Sequence, residues 1–342
     1  MSTRKKIGFL TFGHWSAAPG SRTPDPGATL TQTVAMAVAA EEAGLDGAWI
    51  RSHHFQHMIS SPFPLLAAMG TATQRIALGT GVIDLRYENP LYMAEEAATT
   101  DLLSGGRLEL GISRGSPEAA LDGQHQFGYD LAQGQTWSDL AQDRGRRFRQ
   151  AISGEPIARA DPNSGWAPPG AQMLSVQPQS PGLTERIWWG SGTVASGVRA
   201  ARQGYNLLSS TLLLQDDGRP FHVQQADQIA QYHAAYAASG HTTGGRTAVT
   251  RSVFPLVSAQ DEAYFGGRRE LKDSSGHLEG GRARSGPTYS GTLDEVAELL
   301  RHDEAVQAAD WVLLANPNQL GVDYNAHLFR QWAELARILG WH

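Results

Sequence analysis

The chain contains no cysteine. This absence excludes disulfide bonds, thiolate-ligated metal sites and cysteine nucleophiles together, and it says little about the cellular compartment. The sequence also lacks any uninterrupted apolar run near the ~18 residues of a membrane-spanning helix. The apolar run that follows the basic first six residues is too short for a signal peptide and is broken by Gly13 and His14. We therefore expect a cytoplasmic protein that does not enter a membrane.

An excess of positive charge is absent as well. Lysine and arginine number 28 against 34 aspartate and glutamate residues, and the formal net charge is −6. This charge balance does not indicate a nucleic-acid-binding protein.

The sequence has no HExxH zinc motif and no Walker phosphate loop. Their absence argues against a metalloprotease and against a P-loop nucleotide hydrolase.

Short apolar runs alternate with alanine-rich segments of helical periodicity along the whole chain. The predicted strands are residues 7–12, 46–50, 76–83, 107–113, 186–189, 206–209, 247–257 and 311–315. The predicted helices are residues 29–43, 62–72, a segment that begins at Asn89-Pro90 and ends before Ser104, then 137–152, 194–203, 223–238, 293–301 and 324–339. This alternation predicts an α/β protein with one domain over residues 1–342, a (β/α)₈ TIM barrel. A doubly wound open sheet is the competing fold, but no GxGxxG follows the first strand.

Two stretches exceed the usual loop length: residues 118–184 after the fourth strand, and residues 259–291 after the seventh. Connections this long are usually functional lids or disordered segments. We treat both as insertions at the carboxyl-end face of the barrel. For residues 259–291, which are rich in glycine, serine and arginine, a lid and plain disorder both stay open.

Several polar or small residues follow the predicted strands directly. They are His53 and His54 after the second strand, Thr80, Gly81 and Val82 at the end of the third, Ser113 and Arg114 at the end of the fourth, and Gly190, Ser191, Gly192 and Thr193 at the end of the fifth. The carboxyl ends of parallel barrel strands meet at one rim, where α/β barrels bind their ligands. The small-residue turn at Ser104 falls on the opposite rim and indicates a role in stability.

The turn that ends in Thr193 stands directly before a predicted helix. Backbone N–H groups at a helix start bind phosphate, and the guanidinium of Arg114 has the fork geometry that suits phosphate oxygens. A phosphorylated cofactor is therefore plausible. Two simpler interpretations stay open: Thr193 could serve only as the helix cap, and Arg114 could form only a salt bridge at the rim.

The doublet His53-His54, with His57 nearby, suggests a metal site at first sight. Successive strand residues point to opposite faces, so the two side chains are poorly placed to chelate one ion, and we expect no metal. One histidine is expected to face the pocket as a proton donor while the other packs outward. A purely structural pair is the alternative.

The segment AEEAATTDLLSGGRLELGISRG, together with SHHF after the second strand and WWGSGT at the fifth, resembles the bacterial luciferase-like flavin monooxygenases. The resemblance implies a TIM barrel that binds FMN, or in one branch the deazaflavin F420, at the carboxyl-end face. It implies that Arg114 and the turn Ser191, Gly192 and Thr193 bind the phosphate. It also implies a cis non-proline peptide at Gly81-Val82.

Further roles follow from the same resemblance. His53 corresponds to a catalytic acid or base, and Ser113 stands where the luciferases have a cysteine near the flavin. The usual glutamate before the histidine doublet is Ser52 in this chain, so its role is missing or supplied elsewhere. From position alone, Arg86 and Tyr87 are expected on the substrate side.

The resulting hypothesis is an FMN-dependent monooxygenase that oxygenates a small organic substrate with O₂, using reduced flavin from a separate flavin reductase. An F420-dependent hydride-transferring oxidoreductase, a flavin-binding protein without turnover and a barrel hydrolase are the alternatives. The resemblance also implies a homodimer formed through the second and third helices.

Overall fold

Eight parallel strands close into a barrel in this computed structural model, which describes residues 4–116, 118–268, 273–278 and 281–341. The strands are β1 (Lys6–Thr11), β2 (Gly47–Ile50), β3 (Ala77–Thr80), β4 (Leu108–Ser113), β5 (Ile187–Ser191), β6 (Asn206–Ser209), β7 (Thr247–Pro255) and β8 (Trp311–Ala315). Each pairs with its neighbours in chain order. The pairing of Thr247 with Leu207 joins β7 to β6, and that of Lys6 with Trp311 joins β1 to β8. The predicted TIM barrel is confirmed, and the open sheet is wrong.

Eight helices surround the strands. They are α1 (Pro26–Glu42), α2 (Pro62–Ala72), α3 (Pro90–Leu103), α4 (Trp137–Ile152), α5 (Val194–Arg202), α6 (Phe221–Ala238), α7 (Leu293–His302) and α8 (Gly321–Ile338). Shorter helices lie at Gly123–Gln126, Ala259–Phe265 and Glu304–Ala308, with 3₁₀ turns at Leu183–Arg186, Gly266–Arg268 and Asn318–Leu320. In the described part of the chain, none of the helices has the length and apolar content needed to cross a bilayer.

Local sequence explains where several helices begin. The Asn89 side chain accepts hydrogen bonds from the N–H groups of Leu91 and Tyr92, and Pro90 occupies the first turn of α3, where a missing N–H costs nothing. At α4, Thr136 and Asp139 form a reciprocal capping box. These signals are strictly local, which is why the predicted starts of both helices agree with the structure.

The third predicted strand is not continuous. β3 ends at Thr80, and after Gly81 and Val82 the residues Ile83–Asp84 form a separate short strand that pairs with β4. The peptide bond between Gly81 and Val82 is cis, as the resemblance implied. This interruption turns the chain at the carboxyl end of the barrel, where the cavity described below opens.

Aromatic side chains fill the barrel interior below that cavity. Trp49 lies edge-on to Trp188 and Trp311, with ring centroids 5.6 and 5.9 Å away, and all three are buried. Near the amino ends of the strands, Glu109 accepts hydrogen bonds from Trp188 Nε1 at 2.7 Å and from the Arg246 guanidinium at 2.7 and 2.9 Å. These buried aromatic rings and the Glu109 hydrogen bonds fill this layer of the barrel.

The two long predicted insertions contain ordered elements. Residues 118–184 include α4, which is the fourth barrel helix, and a small antiparallel pair formed by Ala158–Arg159 and Met173–Leu174. Residues 259–291 include a short helix, the antiparallel strands Ser274–Leu278 and Gly281–Ser285, and Thr288–Gly291, which pairs with β7. Strand Gly281–Ser285 also pairs with Leu212–Leu213, which follows β6. Plain disorder is therefore wrong for the described part of the second segment; residues 269–272 and 279–280 lie outside the described residues.

Candidate active site

A cavity of about 530 Å³ opens at the carboxyl ends of the barrel strands. This volume lies in the range of small-molecule and cofactor sites. Most of the residues predicted at the strand ends line it together, namely Gly81, Val82, Ser113, Arg114, Gly190, Ser191, Gly192 and Thr193. Apolar side chains complete the wall: Leu10, Phe12, Trp189, Leu208, Leu212 and Leu214.

The turn between β5 and α5 faces this cavity with its backbone. The Ser191 hydroxyl donates to the Thr193 carbonyl oxygen at 2.8 Å, and the Thr193 hydroxyl oxygen accepts from the Ser196 N–H at 3.2 Å. A Cβ on Gly192 would lie 2.8 Å from the Leu212 carbonyl oxygen, so only glycine fits this close approach. Thr193 thus caps α5 and lines the cavity at the same time, and the two interpretations of this residue do not exclude each other.

The charged residues in the described lining of the cavity are all positively charged. Three arginines line it, Arg51, Arg114 and Arg199, and none of its lining residues within the described part of the chain is acidic. Arg199 and Ser196 follow Thr193 at helical spacings of three residues, so they share the face of α5 that begins at the cap. Arg114 and Arg199, together with the start of α5, suit an anionic group such as a phosphate.

Two predicted side chains support the loops around this cavity. The Thr80 hydroxyl is buried between β3 and β4, where it donates to the Gly111 carbonyl oxygen at 2.7 Å, and it does not line the cavity. The Ser113 hydroxyl oxygen lines the cavity and accepts from the Gly115 N–H at 2.8 Å. The Thr80 hydroxyl thus supports strand pairing and the Ser113 hydroxyl supports the loop after β4, while a cofactor contact of either residue stays a prediction.

His53 lies beside the cavity and has partners at both ring nitrogens. Its Nδ1 is 2.9 Å from Glu118 Oε1, and its Nε2 accepts a hydrogen bond from Arg51 Nε at 2.7 Å. This pairing assigns the ring proton to Nδ1, which donates to the carboxylate. Gln56 Nε2 donates to the other Glu118 oxygen at 2.8 Å. Burial alone would raise the Glu118 pKa, but the hydrogen bonds from His53 and Gln56 outweigh it, and the pKa lies below its usual value.

Sequence reasoning missed Glu118 and Arg51. Glu118, which is 65 residues from His53 in the chain, places a carboxylate beside the ring of His53. Arg51 stands directly before the predicted SHHF segment, and its position at the end of β2 was the available signal. Its Nη2 donates to Ser116 Oγ at 3.1 Å, and its guanidinium carbon lies 5.5 Å from the centroid of the Phe12 ring.

His54 points to a different environment. Its ring stacks on Tyr87 with centroids 4.1 Å apart, and burial lowers the pKa of His54 from its usual value, so the ring stays neutral near pH 7. Neither residue lines the cavity, so the structure does not bring Tyr87 and His54 together with the cavity-lining arginines.

Arg86 is likewise outside the cavity lining. Its guanidinium pairs with the Asp84 carboxylate, with Nη2 to Oδ2 at 2.6 Å, and it also donates to the Ser116 carbonyl oxygen. Burial acts to lower the pKa of Arg86, but the hydrogen bonds and charge of Asp84 outweigh it, and the net shift is upward. Arg86 holds the loop after β4 in this structure, and a role on the substrate side stays a prediction.

No group of three or more potential metal ligands comes together among the described residues. The polar groups that line the cavity belong to arginines, to hydroxyl-bearing residues and to the start of α5.

The profile of the luciferase-like monooxygenase family matches residues 6–312. This chain belongs to the luciferase-like monooxygenase family. Its relatives include the 4-hydroxyprotoasukamycin monooxygenase of Streptomyces nodosus subsp. asukaensis, 32% identical over 152 residues and 44% of this chain. The oxygenase component of the flavin-dependent trigonelline monooxygenase of Acinetobacter baylyi is 37% identical over 79 residues, or 22% of this chain. The chain covers only 40% and 22% of the length of these two relatives.

Solved structures of related barrels superpose over almost the whole chain. The oxygenating constituent of 3,6-diketocamphane monooxygenase from Pseudomonas putida, in complex with FMN, gives a TM-score of 0.67 at 18% identity, covering 97% of this chain and 96% of that one. An F420-dependent secondary alcohol dehydrogenase gives 0.63 at 13% identity, covering 98% and 99%. At these identities the likeness establishes the fold, and luciferase-like barrels of both cofactor types share it.

Proposed function

We propose that this chain is the oxygenase component of an FMN-dependent monooxygenase that acts on a small organic substrate. The observation that carries the proposal is the joint presence of Arg114 and the turn from Gly190 to Thr193 in the wall of one cavity. A guanidinium and a helix start that line the same cavity suit a terminal phosphate. The family membership and the FMN complex of the diketocamphane enzyme support the choice of a flavin.

The residues that line the cavity fit both the phosphate and the planar ring system of FMN. Arg114, Arg199 and the α5 start suit the phosphate, while Leu10, Val82 and Leu208 offer an apolar wall for a planar ring system. Gly81 also lines the cavity, next to Leu10. A Cβ on Gly81 would come 3.1 Å from Leu10 Cδ1, so this position has little room for a larger residue.

When bound, reduced flavin supplies the electrons that activate O₂ for transfer of an oxygen atom to the substrate. The chain orients the cofactor through the phosphate contacts and excludes water with the apolar wall around Trp189 and Leu208. An acid–base role of His53 requires its Nε2 to be released from Arg51, because that nitrogen accepts the Arg51 hydrogen bond in this structure.

We also propose that the hairpin formed by Ser274–Leu278 and Gly281–Ser285 closes over the cavity as a lid. It is joined to the cavity wall through Leu212, which lines the cavity and pairs with Ser285. Arg284 anchors the hairpin, since its Nε lies 2.8 Å from Asp216 Oδ1 and its Nη1 lies 3.0 Å from Asp273 Oδ2. A lid would protect the activated oxygen from water.

Two partners belong to the same proposal. A separate flavin reductase would supply reduced flavin, as the name "oxygenase component" indicates for the trigonelline relative. A homodimer would cover part of the α2–α3 face, where Tyr92, Leu102 and Leu103 on α3 are large, apolar and exposed. Exposed apolar residues grouped on one helix are typical of protein interfaces.

The test is a titration of the purified chain with FMN, with riboflavin and with F420. Binding is measured by the quenching of tryptophan fluorescence. We expect FMN to bind more tightly than riboflavin, because only FMN carries the phosphate. With NADH and a flavin reductase present, O₂ uptake should then depend on the FMN-loaded chain and on an added substrate.

Each other result contradicts the proposal in a distinct way. Binding of F420 without FMN would make the chain a hydride-transferring oxidoreductase. Tight FMN binding with no substrate oxygenation under reductase supply would make it a flavin-binding protein without turnover. Failure to bind either cofactor would overturn the flavoenzyme proposal.

A further inference from the structure

Arg51 stands apart from the other cavity arginines. It lies at the end of β2, three strands along the barrel from the β5 turn that suits the phosphate. Its guanidinium is held by His53 and Ser116, which follow β2 and β4, and not by the β5 turn. The phosphate proposed at that turn therefore leaves Arg51 without an assigned ligand.

The position of Arg51 is fixed on three sides. His53 Nε2 accepts from its Nε, Ser116 Oγ accepts from its Nη2, and the Phe12 ring lies under its guanidinium carbon. His53 is itself held by Glu118, whose side chain is only 2% exposed. A side chain held this way loses little freedom when it binds a ligand, which favours recognition.

The guanidinium nevertheless keeps unused hydrogen-bonding capacity. Arginine has five N–H groups, and two of those on Arg51 go to His53 and Ser116. For the other three, the described part of the chain provides no hydrogen-bond acceptor. Arg51 is also one of the residues that line the cavity.

Nearby carboxylates are already committed to other groups. Both Glu118 oxygens accept from His53 and Gln56, and both Asp84 oxygens accept from Arg86. Burial lowers the pKa of Arg51 although Glu118 and Asp84 act in the opposite direction. Within the described part of the chain, Arg51 is thus a partly desolvated cation with no direct ion pair, and an anionic ligand would provide a counter-charge.

We propose that Arg51 recognises a carboxylate on the substrate, which makes the substrates of this chain organic acids. The inference rests on the proposed function, since it assigns the substrate class of the same cavity. An arginine fork binds a carboxylate through two parallel N–H groups, and this geometry discriminates against a neutral amide of the same shape. The apolar surface of Phe12 beside the fork suits the hydrocarbon part of such an acid.

The experiment compares acids with their amides by isothermal titration calorimetry on the full chain, with and without saturating FMN. The probe pairs are benzoate with benzamide and octanoate with octanamide. We expect each acid to bind the FMN-loaded chain at least tenfold more tightly than its amide. The variant Arg51→Gln should remove this preference and leave the FMN affinity within twofold, while Arg114→Gln should weaken FMN and leave the preference.

The variant Arg51→Lys keeps the charge but lacks the planar fork that binds a carboxylate through two parallel N–H groups, so it should retain only part of the preference. It also provides the comparison if Arg51→Gln does not fold, as judged by circular dichroism. The proposal is overturned if neither acid is preferred by the wild-type chain or if the preference survives in both Arg51 variants. It is overturned equally if the Arg51 variants lose FMN affinity as Arg114→Gln does.

Failure of the flavin proposal gives a different pattern. In that case FMN produces no heat of binding, yet the same probe pairs titrated into the unloaded chain still report on Arg51. A preference for the acids that disappears on substitution of Arg51 supports the inference there too, and its absence contradicts it.

Discussion

Arg51 Nε donates a hydrogen bond to His53 Nε2 across 2.7 Å, and this contact decides how the histidine is used. Since Nε2 accepts, the ring proton resides on Nδ1 and is donated to Glu118 at 2.9 Å. A neutral ring with both nitrogens engaged holds its two neighbours in place. The resulting chain from Glu118 through His53 to Arg51 links a buried carboxylate to a cation at the cavity wall.

Replacing Glu118 by glutamine should reduce stability in a pH-dependent way. The folded-state pKa of Glu118 is lowered, so its contribution is complete above the ordinary glutamate pKa of ~4.3 and is lost as the pH falls through the folded value. We expect Glu118→Gln to cost about 1–3 kcal/mol of unfolding free energy at pH 7, because a charged hydrogen bond to His53 is replaced by a neutral one.

Urea unfolding of both proteins at pH 7 and at pH 3.5 measures this effect. The difference between wild type and Glu118→Gln should shrink at the lower pH. The exposed Glu95, replaced by glutamine in the same way, should change stability by no more than about 0.5 kcal/mol. A Glu118→Gln difference that is equal at both pH values would contradict the assigned hydrogen bond from His53 to an ionised Glu118.

Replacing Arg114 by alanine should weaken FMN binding at least tenfold, since a charge-assisted contact to phosphate is worth about 1.5–3 kcal/mol. Riboflavin lacks the phosphate and serves as the matched ligand. Its affinity should stay within about twofold. Flavin fluorescence titrations of wild type and Arg114→Ala with the two ligands provide the measurement. An equal loss for FMN and riboflavin would place Arg114 near the ring system instead of the phosphate.

Replacing Thr193 by alanine should affect stability and FMN binding together. Its hydroxyl oxygen caps α5 by accepting from the Ser196 N–H, and the loss of such a cap costs about 1 kcal/mol. Thr292 caps α7 in the same manner but does not line the cavity, so Thr292→Ala is the control.

Both alanine variants should lose similar stability in thermal melts, but only Thr193→Ala should lose FMN affinity. Unchanged FMN affinity in Thr193→Ala would limit this residue to the helix-cap role.

Replacing Gly115 by alanine should disturb the loop that carries Arg114. Gly115 has φ +86°, and a Cβ there would lie 1.9 Å from Asp84 Oδ2, which pairs with Arg86. Gly128 has φ +79° with open space around its Cβ position, so Gly128→Ala reports the backbone cost alone.

We expect Gly128→Ala to lose about 1 kcal/mol, and Gly115→Ala to lose 1–3 kcal/mol more because the clash displaces the ion pair. Thermal unfolding monitored by circular dichroism compares the two. Equal losses would mean that Asp84 moves aside without cost.

The comparison between expectation and structure has a physical pattern. Helices α2 and α4 coincide with their predicted limits because prolines, caps and apolar periodicity act within a few residues. The strand-end rule also placed Gly81, Arg114 and Thr193 around one cavity, since closure of a parallel barrel brings all carboxyl ends to one rim. The cis peptide at Gly81 and Val82 was implied by the family resemblance, whereas the apolar pattern alone predicted only that the third strand ends near Gly81.

The sequence by itself determined the barrel and the set of residues at its carboxyl-end rim, because local chemistry and parallel topology are sufficient for both. Only the tertiary structure decided which of these side chains touch. Glu118 meets His53 across 65 residues of chain, and Arg51 enters the cavity while Arg86 pairs with Asp84. Those choices depend on how independently built loops pack against one another, and ångström-scale distances between loops leave no local signal in the chain.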